Sequence, residues 1–170
     1  MGGRWTLGDI VDYGLISTFA LLETVADRRE AILRQIYEVN RQTVEDRKWT
    51  DTSVILVPVV EQQDAREVDH LVDRLEMGGV EVYRADRPFE SERRTYAAGT
   101  FVIPMTQVFA RYAKDLLEPQ TYPGVGDGSN APVESPYDVT AWSLGMLFGV
   151  NVDFANDPLP PGVRLKRARG

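Results

Sequence analysis

The clearest pattern of apolar and polar positions in this chain runs from Thr52 to Asp86. Ser53-Val-Ile-Leu-Val-Pro-Val-Val60 is a nearly continuous apolar run rich in β-branched residues, as in a strand buried on both faces. From Glu61 to Glu76 the rhythm changes, and Val68, Leu71, Val72 and Leu75 fall on one face of a helix. Met77-Gly-Gly79 stops that helix, and Val80-Glu-Val-Tyr-Arg84 reads as a second strand. Strand, helix and strand within about 35 residues predict a βαβ unit with parallel strands and a right-handed crossover.

The chain before this unit is helical in character from Gly8 to about Lys48, with Val11, Leu15, Phe19, Leu22 and Ala26 on one stripe. It reads as one long bent helix or as two helices meeting near Ala26-Asp27, where Asp27 and Glu30 resemble a capping box. Ile10 to Val25 is apolar on more than one face, so it calls for cover on both sides. That cover is burial within the domain, a homodimer contact, or a neighbouring domain. After the βαβ unit, Arg87 to Tyr96 is polar and unpatterned, a loop with at most an edge strand at one end. Gly99 to Ile103 predicts a third strand ended by Pro104. A helix follows, capped by Thr106, with Val108, Phe109, Tyr112, Ala113, Leu116 and Leu117 on its apolar face. Tyr122 to Pro136 is loop by composition. Asp138 caps a short helix over 139–148 with Gly149 as its C-cap, and Val150 to Phe154 alternates as a fourth strand. These patterns divide the chain into a helical segment (1–48), an α/β domain (49–157) and a tail (158–170).

Composition narrows the function more than it defines it. The net charge of −7 argues against nucleic acid as a partner, since phosphate neutralisation needs a basic surface. The one basic cluster, Arg164 to Arg169, reads as a frayed, solvated terminus. The absence of cysteine removes disulfides, zinc-thiolate sites and Cys nucleophiles. The longest apolar run, near Gly14 to Leu22, is roughly half of what a bilayer span needs. Asp9, Asp12 and Glu23 interrupt any signal-peptide core, and Met1-Gly-Gly3 looks like a start placed on an internal segment. Neither a membrane nor nucleic acid is therefore expected as a partner.

Candidate chemistry is sparse. His70, the only histidine, projects away from the apolar face of its helix and lacks metal-ligand spacing around it. With no cysteine and one histidine, neither a Ser-His-Asp nor a Cys-His triad has its parts, and no GxSxG or P-loop motif is present. Glu61 and Asp64 stand where open α/β sheets place ligands, at the end of the first strand, although acids at a helix N-terminus also answer the helix dipole. Gln107, Tyr137 and Asp138 complete the set of candidate ligand-site residues. Tyr137 and Trp142 offer stacking rings that the core would use equally well. A carboxylate-dependent hydrolase and a small-molecule-binding module both remain open on this set.

Three stretches carry a family resemblance: Arg4 to Thr24 with Asp27-Arg-Arg29; Ala98-Gly-Thr-Phe-Val-Ile103 with Gln107 and Leu116-Leu-Glu-Pro-Gln120; and Pro136-Tyr-Asp-Val-Thr-Ala-Trp-Ser-Leu144 with Gly149-Val150. Together they resemble the region after the catalytic domain in large bacterial zinc carboxypeptidase-like proteins, a region that continues into a class I glutamine amidotransferase-like domain. The resemblance covers most of the chain. It implies an α/β fold, a flavodoxin-like three-layer parallel sheet of about four strands, preceded by the long N-terminal helical segment. It also implies a zinc site in a separate peptidase domain, that domain as partner, and an exported parent protein. The family's HxxE motif, later histidine and catalytic glutamate have no counterpart here, nor has the amidotransferase Cys. The resemblance thus implies a non-catalytic accessory domain without a cofactor of its own.

Overall fold

A computed structural model describes residues 4–46, 48–119 and 143–169. Two compact units divide the chain, 1–42 and 43–170. In the first, helix α1 spans Leu7–Asp27. A capping box starts it: the Thr6 hydroxyl accepts from the Asp9 amide at 3.3 Å, and the Asp9 carboxylate accepts from the Thr6 amide at 2.7 Å. The Thr6 hydroxyl, which also donates to the Asp9 carboxylate at 2.6 Å, and then the Thr6 amide hold the Asp9 carboxyl below its ordinary pKa. Arg28 alone separates α1 from α2 (Arg29–Glu45), and its amide still bonds the Thr24 carbonyl. The break thus falls one residue after Asp27, which closes α1 instead of capping α2.

The second unit contains β1 (Val54–Val57), α3 (Ala65–Met77), β2 (Tyr83–Ala85), β3 (Phe89–Ser91), β4 (Arg94–Tyr96) and β5 (Phe101–Pro104). α4 (Ala110–Leu117), α5 (Leu144–Phe148), β6 (Asp153–Ala155) and β7 (Leu165–Arg167) follow. Five strands form one sheet in the order β6-β1-β5-β2-β7, and β3 pairs with β4 as a separate hairpin. Every pairing is antiparallel. The expected flavodoxin-like parallel sheet is therefore corrected to an antiparallel one. The strand-helix-strand succession does occur. β1 and β2 both run opposite to β5, hence parallel to each other, but β5 lies between them. This is a split βαβ, and β1-α3-β2-β5-α4-β6 has the strand order of a ferredoxin-like sandwich, with β7 added beside β2.

The double-sided burial that pointed to a parallel sheet has another cause. Ile55 and Val57 face α3 and α4, packing with Leu71, Leu75, Phe101, Ile103 and Leu117. Val54 and Leu56 face the other way, into a cluster with Phe89 and Tyr96 of the hairpin and with Leu159, Val163 and Leu165. An antiparallel sheet covered by helices on one face and by a hairpin on the other reads as apolar on both. The hairpin itself replaces the loop expected at Arg87–Tyr96. Its turn puts Glu92 (φ 48°) and Arg93 (φ 63°) in the left-handed region that a tight type I′ turn requires, without the Asn-Gly that usually marks one.

The basic terminus is not frayed. β7 pairs with β2, matching Tyr83 to Arg167 and Ala85 to Leu165. Arg167 reaches Glu81 at 3.2 Å and Arg169 pairs with Asp73, so the run answers acids on α3 and beside β2. Gly149 closes α5 in the left-handed conformation (φ 65°), as its position in the sequence requires. α4 begins at Ala110 with no side-chain cap, later than the Thr106 start expected.

Candidate functional site

The C-terminal end of β1 is where the sequence points, and its loop is tightly held. Glu61 takes φ 64°, a conformation that costs a non-glycine residue about 1–2 kcal/mol. Asn151 fixes it: its amide nitrogen donates to the Glu61 carbonyl at 2.6 Å, and its backbone N–H donates to Gln62 Oε1 at 2.8 Å. Gln62 Nε2 in turn donates to the Pro58 and Asn151 carbonyls at 2.7 and 3.1 Å. The β1–α3 loop and the α5–β6 loop are thereby joined. They enclose an open cleft of about 710 Å³ between Glu61, Gln63, Met146 and Gly149.

Beside this cleft lies a network that the sequence did not predict. The Arg94 guanidinium bridges Glu61 Oε2 at 2.6 Å and Asp153 Oδ2 at 2.7 Å. The Tyr96 hydroxyl donates to the same Asp153 oxygen at 3.1 Å. Burial, then the Asp153 charge and its hydrogen bond, push the Tyr96 pKa up to about 12. One cation thus ties the hairpin, β6 and the β1–α3 loop together. Arg94 and Tyr96 lie two apart and share one face of β4, the only local signal available; Asp153 is contributed by a strand 57 residues further on from Tyr96.

Of the five residues singled out in the sequence, the three that are described, Glu61, Asp64 and Gln107, each serve a different contact. Glu61 lines the cleft with its carboxylate held by Arg94. Asp64 is the N-cap of α3, accepting the Arg66 amide at 2.8 Å and the Arg66 guanidinium at 2.9 Å, which lower its pKa. Gln107 is buried and spends its amide on backbone: Oε1 accepts from Glu81 N–H at 2.6 Å, while Nε2 donates to the Glu81 and Pro104 carbonyls. It holds the approach to β2 against the end of β5. Tyr137, Asp138 and Trp142 lie outside the described residues, as does the Tyr122–Pro136 stretch. His70 is exposed on α3. Among the described residues, no three His, Cys, Asp or Glu side chains gather to hold a metal ion.

A different surface stands out in the first unit. α1 has no buried residue. Leu7, Ile16 and Phe19 are 77%, 67% and 67% exposed, and Ile10, Val11, Leu15, Leu21 and Leu22 are more than half exposed. At about 100° per residue, the apolar side chains from Ile10 round to Phe19 sweep roughly 180° of the helix, while Asp9, Asp12, Glu23 and Asp27 gather on the opposite side around Ile16. Among the described residues no helix is long and apolar enough to cross a membrane. Isolated helices of this length are marginal in water, and most helical stability in proteins comes from packing of an apolar face.

Comparison of the chain with protein-family models, with curated protein sequences and with solved structures returned no match.

Proposed function

We propose that this chain is a non-catalytic accessory domain of a zinc metallocarboxypeptidase-like protein, one that works only in association with another folded body. The observation carrying the reading is α1, which exposes a wide apolar arc and has no buried residue among the described residues. The resemblance of Arg4–Thr24 and Pro136–Leu144 to the region following such peptidase domains supplies the context. In this reading zinc is held by the peptidase domain and not by this chain, and the accessory domain supports that domain or presents substrate to it. The polar groups near the β1 end fit a supporting role, since Arg94, Asp153, Gln62 and Asn151 are engaged in holding loops together. Co-expression with the zinc peptidase domain of its parent chain tests the reading. A stable complex with raised peptidase stability or activity is expected. A peptidase domain that folds and cleaves equally well with the chain absent removes the proposal.

One observation favours a second reading, a small-molecule-binding module. The cleft of about 710 Å³ beside Glu61 has an apolar wall at Met146 and an amide at Gln63. Line broadening of the Gly149 and Asn151 amides, in a screen of amino acids and short peptides by NMR, would support it. Unchanged spectra across the screen would exclude that ligand class.

A further inference from the structure

We infer that α1 associates with α1 of a second copy of this chain in an antiparallel pair. The inference rests on the geometry of α1 and goes beyond the accessory-domain reading, which leaves the covering body unspecified. Leu7, Val11, Gly14, Thr18, Leu21 and Val25 form a line along the apolar arc, on the side nearer Ile10 and away from Phe19. Their spacing runs four, three, four, three, four, which reads the same in either direction. Reversal about the midpoint sets Leu7 opposite Val25, Val11 opposite Leu21, and Gly14 opposite Thr18 of the second copy. Large faces large and small faces small, the self-complementarity that a two-fold interface requires.

Gly14 supplies a separate argument. A side chain at this position would meet nothing within 4 Å. Glycine in a helix interior costs about 1 kcal/mol relative to alanine, and nothing among the described residues makes use of it. In the antiparallel pair it sits next to the two-fold axis, where the two backbones come closest. Thr18 suits the same place, because its hydroxyl already donates to the Gly14 carbonyl at 2.8 Å and leaves its methyl on the contact face.

Area and charge agree with the pairing. The four large residues of the line, with Ile10, Leu15 and Leu22 beside it, are 41–77% exposed. At on the order of 100 Å² each they present roughly 700 Å², close to the ~800 Å² per partner of a standard interface. The four carboxylates of α1 all lie on the far side and would remain in water, so the pair brings no like charges together.

The chain has no cysteine, so single introduced thiols report the contact cleanly. Sedimentation equilibrium of the 170-residue chain at micromolar concentrations is expected to show a dimer. Leu21→Glu, at an exposed position that leaves the second unit's core intact, is expected to weaken it by roughly 100-fold or more. Under oxidising conditions an equimolar mixture of Val11→Cys and Leu21→Cys chains should cross-link. Val11→Cys alone should not, since antiparallel copies hold those thiols about 15 Å apart. Self-cross-linking of Val11→Cys would show a parallel pair and overturn the inference, as would a monomer at every concentration. A monomer whose α1 becomes covered only when the zinc peptidase domain is added would sink the pairing and leave the accessory-domain reading standing.

Discussion

Tyr96→Phe isolates one hydroxyl of the network beside the cleft and tests it through pH. The Tyr96 ring is buried and stacks on Phe89 with centroids 5.2 Å apart, so the substitution leaves packing unchanged and removes only the bond to Asp153. Asp153 keeps its bond from Arg94, which limits the loss at neutral pH to about 1 kcal/mol. The alkaline limb is more telling. A tyrosine with an ordinary pKa of 10.0 when unfolded and about 12 when folded binds its proton more tightly in the folded state. Its contribution is fully present below pH 10 and is lost as pH rises through 12, by up to about 2.7 kcal/mol. The variant lacks this loss. Wild type is therefore more stable at pH 8, the two stabilities cross near pH ~11, and the variant is the more stable above it. Urea unfolding followed by tryptophan fluorescence across this range measures the difference directly. Curves that stay parallel from pH 8 to 12 would refute the coupling between Tyr96 and Asp153.

Other consequences follow from the same contacts. Gln107→Ala strands the Glu81 amide and frees two carbonyls in a buried setting, and is expected to cost about 2–3 kcal/mol in denaturant unfolding. Gly79→Ala must accept φ 88° with its Cβ 3.0 Å from the Phe109 ring, an expected loss of about 1–3 kcal/mol by the same assay. Truncation before Arg164 removes β7 and uncovers the edge of β2. Faster hydrogen exchange is then expected at Asp86, whose amide donates to the Arg164 carbonyl at 3.0 Å, while Ala85, whose amide donates to the Thr100 carbonyl beside β5, and Leu56 are much less affected.

The elements near α3 were legible because their signals are local. Val68, Leu71, Val72 and Leu75 mark the buried face of the helix, and all four are in the core. What β1 pairs with was not legible. Its neighbours β5 and β6 arrive from 101–104 and 153–155, and no local pattern distinguishes a strand that will sit beside β2 from one inserted between. The hairpin escaped notice because Glu92 and Arg93 occupy positions where glycine or asparagine would have announced a turn. β7 was hidden by its charges, which are satisfied by Glu81 and Asp73 across more than 80 residues of chain. At the candidate site, the position of Glu61 after β1 was legible, but its partner Arg94 lies 33 residues away in what read as a polar loop. The multi-sided apolarity of Ile10 to Val25 was plain from spacing alone.

Amide hydrogen exchange across Leu7–Asp27 tests the central claim most directly, measured on the full chain when dilute and when associated. The account predicts fast exchange throughout α1 in the dilute monomer and strong protection along Val11 to Leu21 on association, whether with a second copy or with the peptidase domain. Slow exchange of α1 in a demonstrated monomer would contradict it, because the helix would then be covered within its own chain.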